Sequence, residues 1–219
     1  MSYLESTRAG YDATAREYAN RFHHHLDELP VEQAMLSAFA QLVRGTGRVD
    51  VLDVGCGTGA TTAILRDQGL VPTGIDLSPN MIAEARDRNP DLAFLAGTMT
   101  ALHTPDASVG GVCAWYSTIH VPDADIPAVF AEFARVLAPG GFVLLAYQVG
   151  DIPRRLTEAF GVRVDLEFHR RRPDVVASLL ERAGLTPYVL TVREADACGI
   201  ESTPQAFQIA VRPGLTVCP

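Results

Sequence analysis

The sequence predicts a doubly wound α/β domain in which helices cover both faces of a mostly parallel sheet. Two observations support this fold class. Short apolar runs alternate with amphipathic helical stretches along the middle of the chain, as expected for successive βαβ units. The first of these runs, 49–54, ends in a glycine-rich turn that leads into a helix, an arrangement typical of the ligand-binding edge of a parallel sheet.

The elements follow from apolar spacing and from start and stop signals. Apolar residues at helical spacing predict two helices ahead of the sheet, at 11–22 and 31–43. The buried runs predict strands at 49–54, 71–77, 92–96, 111–116 and 142–147. Ser78 offers a cap and Pro79 a first residue for the helix after the second strand. The helix before the fifth strand is expected to end at 139–141.

The C-terminal part departs from the βαβ pattern. Polar and apolar residues alternate over 162–168, which predicts a strand with one wet face. A helix from Pro173 should end at Gly184. Two further strands, at 187–192 and 206–211, are joined by a segment too short and polar for a crossover helix, so we expect them to pair antiparallel.

Composition restricts the class of partner. The 219 residues carry a formal net charge of −8, which argues against a nucleic-acid-binding protein, because such proteins need a basic surface. No apolar window approaches the ~20 residues that span a bilayer, and the first ten residues lack the apolar run of a signal peptide. No metal site is expected. The cysteines fit no disulfide framework, so we expect reduced thiols in a cytoplasmic protein. They are Cys56, Cys113, Cys198 and Cys218.

The most informative segment is the turn at 55–59, which reads Gly-Cys-Gly-Thr-Gly. Glycine is needed where the backbone approaches a ligand closely or adopts positive φ. Asp76 follows at the end of the second strand, where a carboxylate can accept hydrogen bonds from both ribose hydroxyls of an adenosine. The alternative role for Asp76, capping the next helix, suits Ser78 better.

The glycines alone leave the nucleotide open, because Gly55, Gly57 and Ala60 also satisfy the dinucleotide pattern. Asp53 favours S-adenosylmethionine: a carboxylate before the turn would repel a pyrophosphate but attract an ammonium and a sulfonium. The antiparallel C-terminal strand pair also favours S-adenosylmethionine, because a plain dinucleotide-binding fold does not need it. An NAD-dependent oxidoreductase and a non-catalytic S-adenosylmethionine-binding protein stay open as alternatives.

Several motifs carry a family resemblance. The segment 51–59 resembles the first motif of class I S-adenosylmethionine-dependent methyltransferases, and 74–78 resembles their acidic second motif. The segment 135–141 is similar to their turn before the fifth strand. The resemblance implies a seven-stranded sheet of order 3-2-1-4-5-7-6 with strand seven antiparallel.

The resemblance also implies a single domain over 1–219. Cap helices would occupy 1–45, the cofactor-binding half 46–148, and the acceptor roof with the antiparallel strands 149–219.

The same resemblance assigns the cofactor residues. Four residues would cradle the methionine part of the cofactor: Asp53, Gly55, Gly57 and Gly59. Cys56, in the same turn, is also expected at the cofactor. Asp76 would hold the ribose, and Leu77 and Met81 would pack on the adenine. Gly97, Thr98 and Met99 replace a common Gly-Asp-Ala, so that a threonine hydroxyl stands where relatives have a carboxylate.

The acceptor side is expected after strand four and in the first helix. The segment 114–122 is similar to one that lines the space between cofactor sulfur and acceptor in small-molecule methyltransferases, which implies roles for Trp115, Tyr116 and His120. Core packing is the alternative for the two aromatic residues. Tyr11 and Tyr18 resemble tyrosines that close over the cofactor, or they anchor the cap helix.

His120 is the predicted acid-base residue, because an imidazole with a pKa near 6.5 can take a proton at neutral pH. The basic cluster 169–172 could hold an acceptor anion or form a solvated run. We therefore expect S-adenosylmethionine-dependent methyl transfer to an oxygen or nitrogen of a small molecule. No nucleic-acid or membrane partner is expected, and a homodimer stays open.

Overall fold

The computed structural model describes residues 2–196 and 201–214. Within them the elements are α1 (Tyr3–Phe22), α2 (Pro30–Gly45), β1 (Asp50–Val54), α3 (Ala60–Asp67), β2 (Val71–Asp76), α4 (Pro79–Arg88), β3 (Ala93–Ala96), β4 (Val109–Trp115), α5 (Ile126–Val136), β5 (Leu137–Gln148), β6 (Arg154–Ala159), β7 (Val162–Phe168), α6 (Pro173–Arg182), β8 (Thr186–Arg193) and β9 (Gln205–Val211). Two short 3₁₀ helices, His25–Glu28 and Thr118–His120, complete these elements.

The main sheet has the order β3-β2-β1-β4-β5-β9-β8. Strands β1 to β5 pair in parallel, whereas β9 runs antiparallel to both of its neighbours. The predicted order 3-2-1-4-5-7-6 is confirmed, because strands six and seven of that order, predicted at 187–192 and 206–211, are β8 and β9. The predicted antiparallel pairing of these two strands is confirmed as well.

Helices pack on both faces of the sheet. Phe130 and Phe133 of α5 contribute to one core with Val143 of β5, and Phe39 of α2 contributes to the other with Leu144. Strand β4 is buried along its whole length, as expected for an apolar strand in the middle of a parallel sheet. This layering leaves the carboxyl ends of β1 to β5 to form one edge.

Three features differ from the expected elements. Helix α1 begins at Tyr3, eight residues before the predicted start, because Ser2 and Glu5 form a capping box. Strand β7 matches the alternating segment, but its partner β6 was not predicted, and the two form a separate hairpin. Strand β5 begins at Leu137 and runs through the predicted stop at 139–141.

Two predictions from composition can be compared with the described residues. Cys56 and Cys113 are free and buried, in agreement with reduced thiols. Cys198 and Cys218 lie outside the described residues. In the described part of the chain, every helix is too short or too polar to traverse a lipid bilayer.

Candidate active site

A cavity of about 650 Å³ opens at the carboxyl edge of the sheet. This volume lies within the ~300–1,000 Å³ typical of small-molecule sites. Its wall combines the ends of β1 to β5 with α1, the start of α2 and the β6–β7 hairpin. Of the predicted site residues, fourteen line it: Tyr11, Tyr18, Gly55, Cys56, Gly57, Asp76, Leu77, Met81, Gly97, Thr98, Met99, Trp115, Tyr116 and His120.

The glycine turn after β1 forms one end of the cavity. Gly55 has φ +77°, and a Cβ there would lie 2.2 Å from the Cβ of Ser117, so only glycine fits. Gly57 has φ +53°, but a Cβ there would meet no atom within 4 Å. The space beside Gly57 is therefore open to a ligand that approaches the backbone.

Asp76 connects this turn to the end of β2. One carboxylate oxygen accepts a hydrogen bond from the Gly57 amide at 2.8 Å, and the other accepts one from the Ser78 amide at 2.8 Å. Burial raises the pKa of Asp76. The Ser78 hydroxyl accepts from the Met81 amide and caps α4, so Asp76 is not needed for that role. Each oxygen of Asp76 keeps lone-pair capacity for ribose hydroxyls.

Tyr11 and His120 form a buried pair on the opposite wall. The Tyr11 hydroxyl lies 2.7 Å from Nε2 of His120, and Nδ1 lies 3.0 Å from the carbonyl oxygen of Glu167. A carbonyl can only accept, so Nδ1 carries the proton and Tyr11 donates to Nε2. Burial lowers the pKa of His120 to about 4, which replaces the value near 6.5 assumed from sequence.

Trp115 and Tyr116 line the cavity and also pack against neighbouring side chains. Trp115 stacks on Phe207 with ring centroids 5.3 Å apart, so the core role expected as an alternative is present beside the cavity-lining one. Tyr116 has φ +51°, a conformation that non-glycine residues seldom adopt and that is frequent at functional sites. This backbone turns the tyrosine away from the line of β4.

Comparisons with known proteins agree with this geometry. Residues 51–141 match the model of a methyltransferase domain family. One similar curated protein is a demethylmenaquinone methyltransferase of Beutenbergia cavernae, with 40% identity over 44% of this chain and 39% of the relative. Another is a malonyl-[acyl-carrier protein] O-methyltransferase of Serratia marcescens, with 35% identity over 54% of this chain and 46% of the relative. The chain thus spans less than half the length of these relatives.

A similar solved structure extends the match along the chain. The DhpI–SAH complex is 28% identical and superposes with a TM-score of 0.72, covering 97% of this chain and 98% of that one. Over residues 51–141 by family model, and over most of its length by structure, the chain is similar to S-adenosylmethionine-dependent methyltransferases. The DhpI structure is a complex with SAH, and the cofactor that the sequence predicts for this chain is S-adenosylmethionine.

The methyltransferase cavity fits this cofactor. The open space beside Gly57 would accommodate a backbone-bound ligand, and Asp76 would supply acceptors for the ribose hydroxyls. Leu77 and Met81 line the cavity, as expected for an adenine-binding end. Thr98 lines it too, with its hydroxyl 2.9 Å from that of Thr100. When bound, S-adenosylmethionine supplies a methyl group already activated on a sulfonium.

Two of the expected cofactor contacts lie behind the cavity wall. Asp53 is fully buried on β1, where one oxygen accepts a hydrogen bond from the Thr62 hydroxyl at 2.6 Å. Its other oxygen makes no hydrogen bond within residues 2–196 and 201–214, and burial raises the pKa of Asp53 to about 7. Gly59 starts α3, and a Cβ there would lie 2.8 Å from the Phe94 ring. Neither residue lines the cavity, so both support the turn from behind.

The basic cluster at 169–172 is mainly structural at its centre. Arg171 is buried, and its guanidinium donates to the carbonyl oxygens of Thr118 and Val121 and to the carboxylate of Asp123. It thereby holds the segment that carries His120. An anion-binding role for Arg171 would break these bonds, so the solvated-run and acceptor-anion interpretations both fail for this residue.

Sequence reasoning missed the far wall of the cavity. Glu32, Gln148 and Gln205 line it, although they come from α2, β5 and β9. No local pattern marks them, because each stands alone among apolar neighbours or at a helix start. Only the pairing of β5 with β9, which places Gln148 opposite Gln205, brings two of them together.

Proposed function

We propose that this protein transfers the methyl group of S-adenosylmethionine to an oxygen or nitrogen of a small molecule, with the accepting atom held against the Tyr11 hydroxyl. The observation that carries the proposal is the Tyr11–His120 hydrogen bond inside the cavity. The demethylmenaquinone and malonyl-carrier methyltransferases support a small acceptor group by their names.

The hydrogen-bond directions define what Tyr11 can do. Its proton is donated to Nε2 of His120, so its oxygen is free to accept a hydrogen bond from an O–H or N–H of the acceptor. Burial raises the pKa of Tyr11, so the residue enters the reaction as a neutral phenol. Tyr11 is the group that touches the acceptor, and His120 acts through it.

Proton removal then uses both residues. As the acceptor atom takes the methyl group and S-adenosylhomocysteine leaves with the electron pair of the broken carbon–sulfur bond, the acceptor proton would pass to the Tyr11 oxygen and the Tyr11 proton to Nε2. His120, with its pKa near 4, is unprotonated throughout the neutral range and can receive it. The surrounding apolar walls exclude water and hold the acceptor in line.

The test is a comparison of Tyr11→Phe and His120→Asn in an assay that measures S-adenosylhomocysteine release with a panel of hydroxyl and amine acceptors. Each variant should lose ~10²–10⁴ in turnover, while affinity for S-adenosylhomocysteine changes little. The double variant should be no slower than the singles, because the two residues act as a unit. The wild-type rate should stay level from pH 8 to 5.5, since His120 titrates lower.

His103→Asn is the matched control, because His103 is exposed and outside the cavity lining. It should retain full turnover. Losses below tenfold in both Tyr11→Phe and His120→Asn, with an unaltered pH profile, would leave the pair a structural one.

A further inference from the structure

The wall of the cavity beside α2 is polar and spans three strands. Gln148 of β5 pairs with Gln205 of β9, which pairs in turn with Arg193 of β8. Glu32 of α2 reaches this row and binds Arg193. Glu32, Gln148 and Gln205 are among the residues that line the cavity.

The charges on this wall do not balance. Oε1 of Glu32 accepts from Nε and Nη2 of Arg193 at 2.9 and 2.6 Å. Glu201 binds the same guanidinium with both oxygens, at 2.8 and 2.7 Å. One cation thus faces two carboxylates, of which Glu32 is only 1% exposed. Burial and these two carboxylates raise the pKa of the neighbouring Tyr116, in keeping with a negative potential at this wall.

A buried acceptor on the same wall lacks a partner. The side-chain oxygen of Gln148 is buried and makes no hydrogen bond among the described residues. The amide of Gln205 donates to the carbonyl oxygen of Thr203 and, among the described residues, makes no hydrogen bond to Gln148. An unsatisfied buried acceptor destabilises the protein, and a ligand that brings a donor would remove this penalty.

We propose that this wall, formed by Glu32, Gln148 and Glu201, binds a protonated amine carried by the methyl acceptor. An ammonium group supplies three donors and one positive charge, which match the free oxygen and the excess carboxylate. The proposal rests on the proposed methyltransferase function and adds the class of its substrate. Arg21 and Arg154 also line the cavity, but both are exposed, where an ion pair contributes little.

The experiment uses three probes that differ only in their polar end: 2-phenylethylamine, 2-phenylethanol and phenylacetate. Their ring suits the apolar part of the lining, which includes Phe22, Trp115 and Phe160. Binding to the full chain saturated with S-adenosylhomocysteine is measured by calorimetry. The amine should bind about tenfold tighter than the alcohol, and phenylacetate should bind most weakly.

Two variants locate the preference on this wall. Glu32→Gln should abolish the advantage of the amine over the alcohol. Gln148→Leu keeps the Arg193 ion pairs and should reduce the advantage severalfold, which provides a second test if Glu32→Gln folds poorly. Glu28→Gln removes an exposed carboxylate outside the lining and should leave the preference unchanged.

Three binding results would overturn the inference: equal binding of amine and alcohol, tightest binding of phenylacetate, or no binding of any probe. A preference for the amine that survives both wall variants would overturn it as well. Affinity for S-adenosylhomocysteine separates the two proposals. A wild-type protein that binds it but shows no amine preference refutes only the substrate class. A protein that does not bind it refutes the methyltransferase function and this inference together.

Discussion

The two ends of the cavity are built from different parts of the chain. At the cofactor end, backbone groups form most of the site: the Gly57 amide donates a hydrogen bond to Asp76, and the open space lies against a turn with positive φ. At the acceptor end, the wall consists of side chains such as Tyr11, Glu32 and Gln148. Most substitutions leave backbone amides in place, whereas each substitution in a side-chain wall changes the surface that the acceptor contacts. The acceptor can therefore diverge while the cofactor stays the same.

Among the substitutions that test this comparison, Gly57→Val should have the largest effect on ligand binding. The new side chain would fill the space beside the turn and should abolish S-adenosylhomocysteine binding. A thermal shift assay measures this, because a ligand that binds the native state raises the melting temperature. Wild type should be stabilised by the ligand, and the variant should show no shift.

Gly47→Val is the control for backbone strain. Gly47 also has positive φ, at +77°, with no atom within 4 Å of a built Cβ, and it lies outside the cavity lining. This variant should melt at a lower temperature but keep the ligand-induced shift. A normal shift in Gly57→Val would place the cofactor elsewhere.

Asp76→Ala should have the next largest effect. It removes the carboxylate that faces the ribose and frees the Gly57 amide, so affinity for S-adenosylhomocysteine should weaken by about 2–4 kcal/mol. Isothermal calorimetry measures the loss, with the exposed Asp91→Ala as control. Unchanged affinity in a folded Asp76→Ala protein would show that the ribose is held by other groups.

The smallest effect should come from Asp53, which supports the cofactor end from behind. Its pKa is raised from the usual range to about 7, so the native state binds more protons than the unfolded state between about pH 4 and 7. The free energy of unfolding should therefore fall as pH rises through this window and level off above it. Asp53 should contribute about 1–2 kcal/mol to that fall between pH 5 and 7.

Urea unfolding at pH 5, 6, 7 and 8 tests this contribution. Asp53→Asn keeps an oxygen for the Thr62 hydroxyl but cannot ionise, so its stability should vary less with pH than that of the wild type. The same slope in both proteins would assign the pH dependence to other carboxylates, of which the buried Asp76 is the first to examine.

The cofactor end could be predicted because its determinants are contiguous. The glycines of the turn and Asp76 stand within 22 residues, and each leaves a local signal. Asp53 was expected at the ligand, but side chains alternate along a strand, and this one faces Thr62 of α3. Direct contact therefore does not follow from closeness in sequence.

The acceptor end could not be predicted in the same way. Glu32, Gln148 and Gln205 meet only through strand register and helix placement, which leave no local pattern. Strand β6 was missed because Arg154–Ala159 shows no clear alternation of polar and apolar residues. The early start of α1, by contrast, had a signal in the Ser2–Glu5 capping box.

Gly10 allows helix α1 to pack directly against the β6–β7 hairpin. A Cβ at this position of α1 would lie 2.8 Å from a methyl carbon of Leu166 on β7, so the helix and the hairpin interlock side by side. The helix carries Tyr11, and the hairpin carries the Glu167 carbonyl that orients His120. Any opening that admits the acceptor by lifting the hairpin must also pull on the helix above the cofactor. We therefore expect exchange of the acceptor and exchange of the cofactor to be coupled.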